Sequence, residues 1–199
     1  MTGDLITNLV TVFLGSGAAF AVAKIAFEYR KDRRERSDAA EYLALRLAFL
    51  FEGYAIDCAD QASNHRTAID SHGAAGSVIT KVPQLPSLPD SDAYKLLDRS
   101  ILNDIFDFPQ RCRMANDEAL AYLDIVGDEE YFAILIEENT LRMGTHAMNI
   151  AKNLRISHNL IVRVLQSGEW NVANYFRDEL ERLDKRKKRR LELEAASAI

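Results

Sequence analysis

LITNLVTVFLGSGAAFAVA, the run from Leu5 to Ala23, carries no charged side chain, and Lys24, Arg30, Lys31, Arg33, Arg34 and Arg36 follow it directly. At ~1.5 Å per residue, a helix of this length matches the ~30 Å hydrocarbon core of a bilayer. The run therefore predicts one membrane span. Asp4 is the only charged side chain ahead of it, so the cations behind it place the N-terminus outside and the rest of the chain in the cytosol, at the inner (plasma) membrane. Two other readings compete. Ala21-Val22-Ala23 has the form of a signal cleavage site, although Met1-Thr2-Gly3-Asp4 lacks the basic start that a signal peptide needs. Thr7, Asn8, Thr11 and Ser16 dilute the apolar character enough for a buried helix of a soluble domain. Within the span, Asn8, Thr11, Gly15 and Ala19 share one face. Small residues let helices approach, and an amide hydrogen-bonds across the contact, so this face predicts a homo-oligomer through the transmembrane helix.

The remainder of the chain suffices for one domain with a core of its own. With 9 Gly and 4 Pro in 199 residues, and with strand-like alternation hard to find, it reads as all-α. A net charge of −5 and a pI near 5.4 give no overall attraction to nucleic acid, which is not an expected partner. The expected partners are the lipid bilayer and a cytoplasmic protein whose identity the sequence does not reveal. Cys58 and Cys112 sit in apolar helical patterns on the reducing side of the membrane, where no disulfide is expected. His65, His72, His146 and His158 are too scattered for a zinc signature. No phosphate-cradling glycine loop, nucleophile elbow, histidine-kinase or receiver signature is present, so no cofactor or metal is expected.

Residues 1–27 thus form an anchor and 28–41 a charged helical stalk, in which Glu28, Asp32 and Glu35 alternate with Arg and Lys. A bundle domain spans 42–184. Its first helix carries the apolar stripes Leu43, Leu47, Leu50, Tyr54, Cys58 and Leu45, Phe49, Ile56, which makes it the expected centre of the domain. From 65 to 91, Gly73, Gly76, Pro83, Pro86 and Pro89 predict a long extended loop, either a surface excursion or a strap for a partner. One helix is expected over Asp92–Phe106 and a second from Pro109 to a stop at Gly127. Asp128 caps a long helix reaching at least Leu154, and a last helix runs from about Trp170 to Ala195, its charged tail beginning at 185. Together these make an antiparallel bundle of four to five helices.

Leu43-Ala44-Leu45-Arg46-Leu47-Ala48, followed by Glu52, Tyr54-Ala55 and Cys58-Ala59 and placed after a span and a basic collar, resembles a group of uncharacterised single-pass bacterial membrane proteins with a cytoplasmic helical domain. The resemblance covers the first ~60 residues best. It implies shared architecture and carries no activity.

Two helical-wheel features bear chemistry. Glu52 lies inside an apolar arc and so needs a cation, because an ionised carboxylate is seldom buried alone. Glu138, Arg142 and His146 follow at i, i+4 and i+8 on the long helix and offer that cation in Arg142. A structural polar seam of Glu52, Glu138 and Arg142 is the first expectation. The alternative is a catalytic cleft formed by Arg142, His146, Glu138 and Glu52, similar to the all-α ribonucleases of the HEPN class. Those enzymes separate Arg and His by four to six positions, whereas Met143-Gly144-Thr145 leaves three.

Finally, Lys185, Arg186, Lys187, Lys188, Arg189 and Arg190 are candidates for contact with anionic lipid, tempered by Asp178, Glu179, Glu181, Asp184, Glu192 and Glu194 around them. The reading is a membrane-anchored cytoplasmic helical module for protein interaction, scaffolding or sensing. A membrane-tethered hydrolase using Arg142 and His146 is the alternative.

Overall fold

The computed structural model describes residues 17–162 and 169–197, which hold four α-helices, one short 3-10 helix and no strand. Helix α1 covers Gly17–Asp70, α2 Arg99–Val126, α3 Glu129–Ser157 and α4 Val172–Ser197, with the 3-10 helix at Asp92–Leu96. The expected all-α bundle is what these residues form. Most of the expected span, with Asn8, Thr11 and Gly15 of its small face, lies outside the described residues. No helix among the described residues is long and apolar enough to cross a membrane.

α3 occupies the middle and packs against α1, α2 and α4. This corrects the expectation that α1 would be central. α3 alone is apolar on three sides: Ile136, Ala147, Ala151 and Leu154 are buried, as are Ile134 and Leu141, while Phe132, Leu135 and Met143 are partly covered. Each partner runs antiparallel to α3, as cross-contacts show for α1 (Glu52 to Arg155, His65 to Ala133), α2 (Phe108 to His146, Tyr122 to Tyr131) and α4 (Arg182 to Glu137, Arg190 to Asp128). α1 and α2 therefore run parallel to each other, which an all-antiparallel bundle does not allow for.

The parallel pair explains the long loop. α1 continues to Asp70, past the expected boundary at 65, and the chain must then return to the level of Asp32–Ala39, where Asp92, Ala93 and Leu96 lie. That distance is about 50 Å along a helix, and ~21 extended residues span up to ~70 Å, so a strap without secondary structure is the simplest return. The strap packs inward, with Ile79, Val82 and Pro83 buried and Leu85 and Leu88 partly covered. Its entry turn needs glycine: Gly76 has φ +78°, and a Cβ there would stand 2.3 Å from the Asn64 carbonyl oxygen.

Helix ends follow their chemistry. The Asp98 carboxylate accepts the Ser100 N–H at 2.8 Å, and Asp128 accepts that of Tyr131 at 2.9 Å. Gly127 closes α2 in the left-handed conformation, as expected. The expected break before Pro109 does not occur, and Pro109 lies inside α2. Ile101, Ile105, Phe108, Cys112 and Ala119 form one buried stripe running past it, and an interruption would uncover that stripe. The residue expected to start a helix is instead exposed on its solvent side. Residues from 185 onward continue α4 through Ser197 and form no separate tail.

The core locks tightly at two places. Phe108 meets Phe51 and Tyr54 edge-on at 5.2 and 5.1 Å between ring centroids. Phe176 of α4 lies over Gly144, where an added Cβ would stand 2.3 Å from the ring and 3.0 Å from Cys58 Cβ.

Candidate functional site

The bundle has two ends, and its buried polar groups separate accordingly. At the stalk end the Arg155 guanidinium donates to both oxygens of Glu52, at 2.6 and 2.9 Å, and to the Ile161 carbonyl at 2.7 Å. The same guanidinium stands 5.0 Å above the centroid of the exposed Phe49 ring. Glu52 does have its cation. The donor is Arg155, however, and the expected partner Arg142 instead donates to Glu138 at 2.7 and 3.0 Å, one turn away on its own helix. Antiparallel packing sets this register: Glu52 lies level with the last turn of α3, where a cation also complements the exposed carbonyls of the helix end. Beside the pair is a cleft of about 370 Å³ lined by Ile56, Met148, Trp170, Val172 and Ala173.

At the far end the acids form a shared lattice. Glu137, Glu138 and Glu179 are almost fully buried. Arg182 bridges Glu137 and Glu179, Arg66 reaches Glu179 at 2.6 Å, and Lys187 joins Arg142 on Glu138. Arg186 holds Glu130 at 3.0 Å, and Arg190 holds Asp128. Burial raises the Glu137 carboxyl against the pull of Arg182, with Glu179 adding to the rise. Burial also opposes ionisation of Glu138, yet Lys187 and Arg142 together bring it below the usual range.

The expected lipid-binding run is thereby divided. Arg186, Lys187 and Arg190 face α3, whereas Lys185, Lys188 and Arg189 are exposed. All six stand at the end of the bundle away from the stalk.

A third group fastens the strap. His65, 1% exposed, accepts the Ile79 N–H on Nδ1 at 3.0 Å, and the Ala133 backbone of α3 lies beside its ring. Asn116 Oδ1 accepts the Val82 N–H at 2.7 Å, and the Tyr54 hydroxyl donates to the Pro83 carbonyl at 3.0 Å. The same hydroxyl lies 3.3 Å from Cys112 Sγ. Burial pushes the Cys58 thiol up to about 12 and raises Cys112 and Tyr54, so none of the three ionises near neutrality. Burial lowers His65, with Arg186 and Arg182 adding to the effect and the Ala133 backbone opposing it.

The residues of the expected catalytic cleft do not converge. His146 stacks on Phe108, with ring centroids 5.5 Å apart, and burial together with Arg111 lowers its pKa from the ordinary value against the pull of Asp104 and Asp107. Arg142 is engaged with Glu138, one turn away on its own helix. Among the described residues no cluster of His, Cys, Asp and Glu has the composition to hold a metal ion.

Sequence reading missed Arg155, Arg182, Glu137, Glu179 and His65. One signal was available: Arg182, Arg186 and Arg190 recur every four residues, a helical row that the consecutive run from Lys185 hid. The chain matches no family model, and no curated protein or solved structure is similar to it.

Proposed function

We propose that the chain is a membrane-anchored helical module whose bundle serves in protein interaction or sensing on the cytoplasmic side. One observation carries the reading: α1 is a single 54-residue helix whose described side chains are exposed from Phe20 to Ala39 and become core from Ala40 onward. Such a helix ties whatever holds its N-terminal end rigidly to the packing of the bundle. The uncharged run before Lys24 supports a bilayer as that holder. The orientation of the bundle follows from this reading. The Glu52–Arg155 end faces the membrane, while Lys185, Lys188 and Arg189 point away from it and are better placed for a cytoplasmic protein than for the inner leaflet.

A ribonuclease reading finds no support in the site, because Arg142 and His146 serve different neighbours. The test has two arms. A reporter active only in the cytosol, fused after Ile199, should work, and one active only outside should not; the reverse pattern would overturn the topology. Purified full chain incubated with RNA should leave it intact, and cleavage abolished by His146→Ala would restore the hydrolase.

A further inference from the structure

We infer that the strap over residues 77–83 is a proton-operated latch, His65 being the residue that receives the proton and release of the strap being the response. This rests on the sensing reading above and names its stimulus. The geometry leaves little choice. A neutral imidazole accepts the Ile79 N–H on Nδ1 and carries its proton on the other nitrogen, so one tautomer joins α1 to the strap, with the Ala133 backbone of α3 beside the ring. Protonation puts a second N–H on Nδ1, pointing at the Ile79 N–H. The bond is lost, and a buried backbone donor is left facing a cation.

The surroundings offer the imidazolium little compensation. From α4, Arg182 and Arg186 bear on His65 with like charge. The acids of that region are engaged: Glu137 and Glu179 with Arg182, Glu179 also with Arg66, which neighbours His65 on α1, and Glu130 with Arg186. On the strap itself, Lys81 and His72 are exposed. What remains to hold the strap is the Ser77 N–H on the Asn64 carbonyl at 3.2 Å, the Asn116 and Tyr54 bonds, and the burial of Ile79, Val82 and Pro83. Beneath lies Cys112, 5% exposed, in contact with the Tyr54 hydroxyl that anchors Pro83. Release of the strap uncovers this thiol.

The experiment reads that exposure. Full chain in detergent is labelled with 4,4′-dithiodipyridine at pH 7.5 and 5.5. Rates are divided by those of the urea-unfolded chain at the same pH, and the label is located by mass spectrometry. The normalised rate at Cys112 should rise several-fold at the lower pH, with about tenfold as the ceiling for one group that titrates at its ordinary 6.5 once the strap is released. His65→Gln keeps an acceptor for Ile79 without titrating, and should abolish the rise. Asn116→Ala loosens the strap by a route that does not titrate, and should raise the rate at both pH values while preserving their ratio. A flat profile in the native chain, or an unchanged rise in His65→Gln, overturns the latch. If His65→Gln does not fold, the native profile and the preserved ratio in Asn116→Ala decide. Membrane topology is read separately by the reporters, so a failed latch and a failed anchor give different results.

Discussion

At the stalk end one carboxylate meets one guanidinium, Glu52 against Arg155, whereas at the far end Glu137, Glu138 and Glu179 are distributed over Arg66, Arg142, Arg182 and Lys187. The pair has no reserve. In the lattice two of the three acids keep a cation when another is removed, and Glu137, which touches Arg182, is the one that does not. Sharing therefore protects only where an acid has two neighbours. The difference lies in where the second cation comes from: Arg66 of α1 joins Arg182 on Glu179, and Lys187 of α4 joins Arg142 on Glu138, whereas Glu52 has the Arg155 guanidinium.

Removing Arg182 should have the largest effect. Glu137, whose side chain is 3% exposed, would lose its cation, and Arg182→Met should cost roughly 3–5 kcal/mol in urea unfolding. Adding Glu137→Gln should recover part of this; a loss below about 1 kcal/mol would mean that water already screens the lattice.

At the stalk end Glu52→Gln should cost less, about 2 kcal/mol, because the Glu52 side chain is 27% exposed. Its cycle with Arg155→Met should show coupling of about 0.5–3 kcal/mol, while its cycle with Arg142→Met should be additive within about 0.5 kcal/mol. Coupling to Arg142 would reverse the register drawn here.

Lys187→Met sharpens the comparison from the protected side. Glu138 keeps Arg142, so the change should stay near or below about 1 kcal/mol, and a loss as large as that of Arg182→Met would contradict sharing.

The pH profile should also report on the far end, where His65 and Glu137 lie. His65 and His146 are both lowered from the ordinary 6.5, so the unfolded chain takes up their protons first. Their contribution is fully present above about pH 6.5 and declines as the pH falls from there toward the folded values. Glu137, raised from 4.5, works in the opposite sense at the acid end of that range. Urea midpoints at pH 7.5, 6.5 and 5.5 should fall in the native chain and fall less in His65→Gln.

The smallest effect belongs to Gly53, where an added Cβ would meet nothing. Gly53→Ala should stabilise by about 0.5–1 kcal/mol through helix propensity alone, and destabilisation would show that the backbone needs glycine at this point.

Sequence patterning alone determined the helical class, the caps at Asp128 and Gly127, a long segment without regular structure before Ser91, the need of Glu52 for a cation and the Glu138–Arg142 pair, but not that this segment packs on the core. These depend on spacings within about one turn or on the chemistry of a single residue type, which a chain carries wherever it folds. Tertiary structure decided the rest. That α1 and α2 run parallel, that α3 is central and that Glu52 meets Arg155 depend on which helix lies beside which and at what level, and many registers bury similar apolar area. Pro109 stays inside α2 because a stripe defined by other helices outweighs a local break. His65 has no local signature for the same reason: its two neighbours, Ile79 and Ala133, come together only when strap, α1 and α3 are in place.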